Sequence, residues 1–236
     1  MAGVVVDAAG NIYVSDMTNA RVMKWAPNAS SGTVVAGGVG AGNAINALDY
    51  PDGLFVHPSG SHIWIAERFN NRVVRWSIPG ASVVVYGRGY GSAADQFSNP
   101  TGVFVDTANS NTIYVADAGN HRIQKWLPNA STGITVAGQT GVSGSAPDKL
   151  NYPVAVIVDS SGNMFISEAN NYRISRWSAG ATSGVPIAGN VLINGVWLSR
   201  WSDYMSGIAL DPSGSILSVD YANHRVRKFA VDCSKY

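Results

Sequence analysis

The sequence contains little of what marks most catalytic, disulfide-rich or membrane proteins. Its 236 residues include one cysteine, Cys233, so no disulfide framework can form within the chain. Charged residues make up 13% of the chain and the formal net charge is +1, which argues against a strongly basic nucleic-acid-binding surface. No stretch has helical periodicity, and the apolar runs have the length of strands, too short to span a bilayer as helices. We therefore expect an all-β protein with no membrane partner.

Targeting signals are also scarce. The first fifteen residues contain no basic segment followed by a long apolar core, which is the pattern of a secretory signal. Asn28 and Asn129 each begin an Asn-x-Ser glycosylation acceptor, at equivalent places in two repeats. These two sites have meaning as glycan attachment points only in a secreted protein, and otherwise they are residues that suit a hairpin turn. The sequence thus assigns no cellular compartment.

A ten-residue pattern occurs five times along the chain. It consists of an acid, two variable residues, Asn, one variable residue, Arg, a β-branched residue, one variable residue, a base and an aromatic. The copies cover Asp16–Trp25, Glu67–Trp76, Asp117–Trp126, Glu168–Trp177 and Asp220–Phe229. Their arginines lie 51, 50, 51 and 52 residues apart. A period of about 50 residues made of short strands predicts a β-propeller in which each repeat is one blade.

Each repeat can be divided into four strands. An apolar run after a small residue, such as Gly3–Val6, is followed by a turn rich in Gly, Ser, Asn and Pro and by a second run such as Ile113–Ala116. Arg122–Trp126 alternates as a third strand with one buried face should, and Ile134–Gly138 is a fourth. We expect one domain over residues 1–236, with repeats at about 3–38, 53–88, 102–139, 155–190 and 207–236.

These phrases resemble a known repeat family. Tyr-Val-Ala-Asp-x-x-Asn-His-Arg-Ile-x-Lys-Trp at Tyr114–Trp126, echoed at Val219–Phe229, is similar to the NHL repeat, and the similarity covers nearly the whole chain. The resemblance implies a propeller, usually six-bladed, that most often docks proteins and in some members binds RNA or glycans. It also implies that a minority are enzymes, including peptide-amidating lyases that hold zinc on histidines around a central channel.

The number of repeats departs from that family pattern. There are five repeats, and only seven residues follow Phe229, so we expect the last blade to lack its outermost strand. Two alternatives follow: a five-bladed ring closed by direct packing of the end blades, or part of a longer, six-bladed propeller. An unclosed end blade would expose an apolar face and would allow self-association.

The repeated acid and Arg are interpreted as structural pairs. A function rarely needs the same residue in every repeat, whereas a fold does, so a ring of ligand-binding charges is the less favoured alternative. We expect the repeated Asn to bond backbone groups in its own turn. For the same reason Trp25, Trp76, Trp126, Trp177 and Phe229 are expected to pack between blades rather than to stack on sugars. The acid and the Arg can meet within a blade or between neighbouring blades. The residues predicted to form these pairs are Asp16, Arg21, Glu67, Arg72, Asp117, Arg122, Glu168, Arg173, Asp220 and Arg225.

Binding specificity should instead come from residues that differ between repeats. The turns between acid and Arg and the connections between blades emerge on the same face of a propeller, because alternate strand ends point the same way. Trp, Tyr and Arg are common anchors at interfaces, although aromatics in these loops could equally cap the blade ends. The predicted binding residues on this loop face are Arg68, Phe69, His121, Tyr172, Trp197, Trp201, Tyr204 and Tyr221.

Metal, cofactor and catalytic sites are not expected. A catalytic zinc normally takes three protein ligands, but His57 and His62 flank a turn on one face while His121 and His224 occupy the same repeat position on the opposite face. The Asp-x-x-Gly-Asn turn at Asp7 and its equivalent at Asp159 resemble calcium loops faintly, yet they lack the alternating carboxylates of an EF-hand. No nucleophile elbow is present either.

Together these features favour a non-enzymatic scaffold that docks a protein or peptide on one loop face. The alternatives are a metal-dependent lyase or lactonase-like propeller enzyme, and a platform for glycan or RNA. A three-ligand cluster would distinguish the enzyme, and a continuous basic or aromatic stripe would distinguish the platform.

Overall fold

The computed structural model describes residues 3–80, 82–190, 192–193, 196–197, 205–220 and 223–230, with residues 192–193, 196–197 and 205–206 described as backbone only. Of the predicted binding residues, Trp201, Tyr204 and Tyr221 lie outside the described residues, and Trp197 is described by its backbone. The chain divides into two compact units, one of Met1–Val115 with Trp126–Gly133 and one of Ala116–Lys125 with Ile134–Tyr236. Each unit is described by itself.

The described residues are almost entirely β-structure. The first strands are β1 (Val4–Val6), β2 (Ile12–Asp16), β3 (Arg21–Trp25), β4 (Thr33–Gly37), β5 (Pro51–Val56), β6 (His62–Glu67), β7 (Arg72–Ser77), β8 (Val83–Tyr86), β9 (Pro100–Asp106) and β10 (Thr112–Asp117). They are followed by β11 (Arg122–Trp126), β12 (Ile134–Gly138), β13 (Pro153–Val158), β14 (Met164–Glu168), β15 (Arg173–Trp177), β16 (Val185–Gly189), β17 (Leu192–Ile193), β18 (Val196–Trp197), β19 (Met205–Leu210), β20 (Ile216–Asp220) and β21 (Arg225–Phe229). Single 3-10 turns occur at Met17–Asn19 and Ala118–Asn120.

The strands form five sequential antiparallel sheets, which we call blades 1 to 5. Blades 1 to 4 have the strand orders β1-β2-β3-β4, β5-β6-β7-β8, β9-β10-β11-β12 and β13-β14-β15-β16, and blade 5 consists of β19-β20-β21. The predicted all-β propeller fold of five repeats is confirmed, with three described strands in the last blade. The sequence did not predict the small β17-β18 hairpin between blades 4 and 5. Within the described part of the chain, no helix is long and apolar enough to cross a membrane.

The first strand of a blade starts earlier than predicted. β5, β9 and β13 begin at Pro51, Pro100 and Pro153, two residues before the predicted repeat boundaries. Proline is tolerated as the first residue of a strand because no ladder hydrogen bond from its nitrogen is needed there. Pro51, Pro100 and Pro153 are therefore part of the strand.

Small residues near these strand starts allow neighbouring first strands to approach each other. A Cβ atom on Gly53 of β5 would clash with the carbonyl oxygen of Thr101 in β9. A Cβ atom on Gly3 would lie 2.6 Å from the carbonyl oxygen of Asp52. Gly3 and Gly53 are thus required by close backbone packing within the first unit.

Within the first unit the core lies between consecutive blades. We call the face of a blade that is directed toward the following blade its forward face, and the opposite face its rear face. Between blades 1 and 2, the core joins Tyr13 and Val22 of the forward face to Leu54, Val56, Ile63 and Ile65 of the rear face, with Leu48 from the connecting loop. Between blades 2 and 3, it joins Trp64, Ala66 and Val73 to Val103, Val105, Ile113, Val115 and Trp126, with Phe97 from the loop.

The repeated aromatic at the end of the third strand belongs to this core. The ring of Trp126 lies 5.5 Å from that of Phe97 and 6.1 Å from that of Tyr86, measured between centroids. Trp126 is 2% exposed. For this residue the predicted packing between blades is confirmed.

Candidate functional site

The turn between the second and third strands of each blade is built around an acid–arginine pair. The acid ends the second strand and the Arg opens the third, so the two face each other in the sheet register. In every blade the Arg Nε donates to the carboxylate. The distances are 2.8 Å for Arg21–Asp16, 2.7 Å for Arg72–Glu67, 2.7 Å for Arg122–Asp117, 2.6 Å for Arg173–Glu168 and 2.8 Å for Arg225–Asp220.

In blade 2 the pair also holds the loop that arrives from blade 1. The terminal nitrogens of Arg72 donate to the carbonyl oxygens of Asn43, Ala44 and Ala47 at 2.9 to 3.1 Å. The Glu67 carboxylate accepts from the backbone N–H of Asp49 at 3.1 Å. Burial raises the pKa of the Glu67 carboxyl, while the Arg72 guanidinium acts in the opposite direction. The charged groups therefore compensate one another inside the protein.

In blades 2 and 4 the amide nitrogen of the repeated Asn donates to the acid and to the connecting loop, rather than to backbone groups of its own turn as expected. In blade 2, Asn70 Nδ2 donates to Glu67 at 2.6 Å and to the carbonyl oxygen of Gly42 at 2.8 Å. In blade 4, Asn171 Nδ2 donates to Glu168 at 2.6 Å and to the carbonyl oxygen of Gly144 at 2.8 Å. The amide can do this because the acid ends the strand beside it and the connecting loop passes within reach. The acid, Asn and Arg of a blade form one hydrogen-bonded group, which we call the loop clamp.

The residue before each repeated Arg has a left-handed backbone. These residues are Ala20, Asn71, His121, Tyr172 and His224, with φ values of 50, 50, 56, 51 and 50°. Short polar side chains tolerate this region better than most others because they can hydrogen-bond locally. The position therefore accepts different side chains but imposes one backbone geometry.

At this position His121 supports the next connection. Its Nδ1 accepts a hydrogen bond from the backbone N–H of Tyr152 at 3.1 Å. In the first unit, Asn71 Oδ1 accepts the equivalent bond from Asn99 at 2.9 Å. Burial lowers the pKa of His121, which favours the neutral ring that this acceptor role needs. The structure thus gives His121, predicted as a binding residue, a contact with its own chain.

Arg68 and Phe69 lie close to Tyr50 and Asp52 at one end of blade 2. The Phe69 ring stacks on Tyr50 with centroids 4.5 Å apart and an interplanar angle of 27°. The guanidinium carbon of Arg68 lies 6.0 Å from the centroid of the Tyr50 ring. Phe69 is nevertheless 55% exposed. We call Tyr50, Asp52, Arg68 and Phe69 the blade 2 cluster.

Asp52 is the buried acid of this cluster. It is 8% exposed, and burial raises its pKa to about 6, although the charge of Arg68 acts to lower it. The equivalent residues of blades 3 and 4 are Thr101 and Val154. Asp52 was missed by the sequence reasoning, yet an acid at a position that holds Thr or Val elsewhere was the available signal.

The other predicted binding residues lie apart from the blade 2 cluster in the sequence. Tyr172 is 36% exposed and follows Asn171 in the turn of blade 4. Trp197 ends the short strand β18, which lies in the connection between blades 4 and 5. Among the connection aromatics, Tyr90 is 74% exposed, whereas Phe97 is completely buried. Phe97 is therefore a loop cap, and Arg68 and Phe69 are the predicted residues that the structure places side by side.

In blades 1 and 4, the aspartate that follows the first strand accepts hydrogen bonds from residues shortly after it in the sequence. Asp7 Oδ1 accepts from the backbone N–H groups of Ala9 at 3.0 Å and Asn11 at 2.9 Å, and Oδ2 accepts from Tyr13 at 3.0 Å. Burial acts to raise the pKa of Asp7, but these hydrogen bonds hold it below its usual value. Asp159 closes the equivalent turn of blade 4 in the same way. The described residues contain no group of three or more His, Cys, Asp or Glu side chains positioned to hold a metal ion.

The two formal glycosylation acceptors lie at the opposite ends of the blades from the loop clamps. Asn28 and Asn129 are exposed residues of the turns between third and fourth strands, with left-handed φ values of 62 and 59°. Both are therefore accessible turn residues, whether or not a glycan is attached.

A family comparison agrees with this repeated geometry. Residues 97–126 match the family model described as the NHL repeat. This segment matches one NHL repeat of the β-propeller. It includes Phe97, the Asp117–Arg122 pair and Trp126, which are the loop cap, the clamp pair and the packing aromatic of blade 3. A search of curated protein sequences finds no match.

Several solved structures share the fold. An auxiliary nutrient binding protein from Bacteroides thetaiotaomicron aligns with a TM-score of 0.70 and 12% identity over 96% of this chain and 58% of its own. Virginiamycin B lyase from Staphylococcus aureus with quinupristin aligns with a TM-score of 0.62 and 12% identity over 98% and 69%. A chain of a nidogen/laminin complex aligns with a TM-score of 0.56 and 15% identity over 74% and 57%. The chain thus spans less than two thirds of the nutrient binding protein, and identities this low establish the fold alone.

Proposed function

We propose that this propeller is a non-enzymatic docking module that binds a protein or peptide through the blade 2 cluster. The observation that carries the proposal is the exposure of Phe69. More than half of this side chain is accessible, although its ring is stacked on Tyr50. An aromatic that is both exposed and held in place can bury a large area on binding with little loss of conformational freedom.

The surroundings of Phe69 support this role. The adjacent Glu67–Arg72 pair and its contacts with the connecting loop hold the turn that carries Phe69. Arg68 adds a cationic group beside the aromatic pair. Aromatic and arginine side chains are enriched among residues that dominate binding energy, and loops on a rigid scaffold are common binding sites.

The similar structures are compatible with more than one function. They include a nutrient binding protein and a chain of a nidogen/laminin complex, as well as lyases. A lyase that uses a metal would need several ligands in one place, and the described residues provide no such group. The exposed aromatic cluster supports the binding alternative, and no comparable feature in the described part of the chain supports the enzyme.

A peptide selection experiment tests the proposal. A random peptide library displayed on phage would be selected on the immobilised full chain, and the enriched peptides would be titrated against Phe69→Ala. Truncating an anchor commonly costs about 2 kcal/mol, or roughly thirtyfold in affinity. We expect a loss of this size, with the parent's melting temperature retained because Phe69 is exposed.

Leu127→Ala is the matched control. Leu127 is 46% exposed and belongs to the same compact unit, but it lies in a turn at the other end of the blades. The selected peptides should bind this variant as they bind the parent. Peptides that bind Phe69→Ala unchanged, or a library that gives no binder, would contradict docking at the blade 2 cluster.

A further inference from the structure

The outer strand of blade 2 differs from the outer strands of blades 1, 3 and 4. In those three blades, the pairing between the third and fourth strands skips one residue of the fourth strand, which is a β-bulge. The skipped residues are Val35, Val136 and Ile187. In blade 2, β8 pairs with β7 without a shift, from Trp76–Val83 to Val73–Tyr86. Gly follows the repeated Arg by 16 residues in blades 1, 3 and 4 but by 15 in blade 2, so the bulge residue is missing there.

β8 is also the free edge of its sheet. It is the last strand in the order of blade 2, with β7 on its inner side. The N–H of Ser77 donates to the carbonyl oxygen of Ser82 at 3.0 Å, and opposite residues of an antiparallel pair alternate between bonded and non-bonded. The backbone groups of Val83 and Val85 therefore point away from β7. Among the described residues, no hydrogen-bond partner binds these outward groups.

A proline in blade 4 supports this assignment of the outward groups. Val85 pairs with Val74, and Pro186 pairs with Ser175 at the equivalent position of blade 4. Proline within a sheet is confined to sites such as edge strands, where its nitrogen faces away from the ladder. The nitrogen at this position therefore faces outward. Blade 4 has no N–H there to offer to another strand, whereas blade 2 has one.

The composition of β8 leaves this edge unprotected. Residues 82–87 are Ser, three Val, Tyr and Gly, with no charged residue and no proline. Proteins commonly protect an edge strand with a charge, a proline or a bulge, and β8 has none of these. The next charged residue is Arg88, whose Nε lies 3.6 Å from the Asp95 carboxylate. A regular, uncharged edge of this kind can accept a further strand.

The strand that fits this edge is β8 of a second molecule. An added strand must present outward N–H and C=O groups in a regular row, and β8 itself has such a row. In an antiparallel pair about a two-fold axis, Val84 would face Val84 of the second molecule, and Val83 would face Val85. Both outward residues would then exchange hydrogen bonds. Arg75, which pairs with Val84 on β7, would lie three strand spacings or about 14 Å from its copy, beyond the Debye length of about 8 Å.

We propose that the protein forms a two-fold symmetric dimer by antiparallel pairing of β8 with β8 of a second molecule. The contact is isologous, since each molecule contributes the same strand, so association stops at two. β7 and β8 lie within the first compact unit and near neither end of the chain. The contact uses none of the residues of the blade 2 cluster, so it is independent of the docking function proposed above.

Sedimentation equilibrium of the full chain provides the first test. The parent should shift from monomer to dimer, and to nothing larger, as its concentration rises. Val85→Pro removes the outward N–H from each molecule, so the dimer loses two hydrogen bonds and its dissociation constant should rise roughly thirtyfold. The melting temperature should stay close to that of the parent, because blade 4 already has Pro186 at this position.

Val34→Pro is the matched control. Val34 pairs with Met23 at the same repeat position of blade 1, but there the bulge at Val35 interrupts the edge. This variant should dimerise as the parent does.

Disulfide cross-linking tests the register without introducing a proline. The single cysteine, Cys233, is first replaced by Ser, and Val84→Cys is then added. Non-bonded opposite residues have Cα atoms about 4.5 Å apart, which is within the range of about 4.4 to 6.8 Å found in disulfides. Mild oxidation should therefore give a covalent dimer. The control is Ile134→Cys in the same background, since Ile134 occupies the equivalent position of blade 3 and is 57% exposed. It should give little dimer.

Five results would overturn the proposal. They are a parent that stays monomeric at every concentration, a parent that forms species larger than a dimer, a folded Val85→Pro variant that dimerises like the parent, an equal loss in Val34→Pro, and cross-linking of Val84→Cys no greater than that of Ile134→Cys. If Val85→Pro does not fold, the parent's mass and the cross-linking comparison decide.

Discussion

Arg122 donates through Nε to Asp117 at 2.7 Å, and the two side chains are 3% and 0% exposed. Arg21 and Asp16 form the same contact in blade 1 at 2.8 Å, but there the side chains are 36% and 26% exposed. The repeat thus uses one chemical pair in surroundings of very different polarity. The energy of an ion pair depends strongly on such surroundings, so equal geometry does not mean equal stabilisation.

Truncation of the repeated Arg should therefore have unequal effects. Arg122→Ala leaves the buried Asp117 carboxylate without this partner, and breaking a buried pair costs about 3 to 5 kcal/mol. Arg21→Ala removes a solvent-screened pair, which is worth about 1 kcal/mol or less. Urea unfolding of both variants would measure the difference. Equal losses would show that burial does not set the energy of these pairs.

Gly138 should resist substitution more than Gly141. Both have left-handed φ values, 78 and 74°, so an Ala side chain at either position is strained by about 1 to 2 kcal/mol. At Gly138 the new Cβ would also clash with the carbonyl oxygen of His121, whereas at Gly141 it would have no heavy atom within 4 Å. We expect Gly138→Ala to have the lower melting temperature by several degrees. Closely matching melting curves would contradict the close approach at Gly138.

His121 should contribute stability in a pH-dependent way. Burial lowers its pKa below 6.5, so the folded protein binds the proton less tightly than the unfolded chain does. The contribution of neutral His121 is present above about pH 6.5 and is lost as the pH falls through the folded-state pKa. His121→Asn keeps an acceptor, as Asn71 does, and should lose less stability than the parent between pH 7 and 5. His121→Ala should cost about 1 kcal/mol at pH 8, which is typical of one lost hydrogen bond.

Asp52 should have the opposite effect on stability, making the protein less stable as the pH rises. Its pKa is raised from 3.8 to about 6, so the folded state binds this proton more tightly, and stability falls as the pH rises from about 4 to above 6. A shift of this size corresponds to roughly 3 kcal/mol. Relative to the parent, Asp52→Asn should gain about this much unfolding free energy between pH 4 and pH 7. A difference that stays constant with pH would contradict the buried, protonatable carboxyl.

The purified chain should contain no stoichiometric transition metal. The basis is the scattered placement of its histidines in the sequence, together with the lack of a three-ligand group among the described residues. Elemental analysis after dialysis would measure the content. One zinc or calcium ion per chain would favour the metal-dependent enzyme over the docking module.

The repeat-level structure could be predicted because it depends on local geometry. The spacing of five residues across a short turn predicted that acid and Arg can meet, within a blade or between neighbours. The register pairs Glu67 directly with Arg72, which is the first of these alternatives. The same applies to Trp126, whose position at a strand end recurs in each blade. These features follow from strand alternation and a fixed period, both of which are visible in the sequence.

The blade 2 cluster could not be predicted in the same way. Tyr50 and Phe69 are 19 residues apart, and their stacking depends on the path of the loop that leads into β5. The sequence marked both as nonrepeating aromatics but left open whether each binds a partner or caps the blade. Asp52 was missed because its burial is set by packing in the first unit, which one residue at a variable position does not reveal.

The loop clamp also bears on the order in which the chain can acquire its structure. Arg72 binds carbonyl groups 25 to 29 residues before it, and Arg173 binds carbonyl groups 24 and 28 residues before it. All of these partners precede the Arg in the sequence. During synthesis from the N-terminus, these carbonyl partners of Arg72 and Arg173 have therefore left the ribosome before the Arg itself emerges, so these contacts do not have to wait for a later repeat. Short-range closure of this kind suits repeat-by-repeat folding on the ribosome.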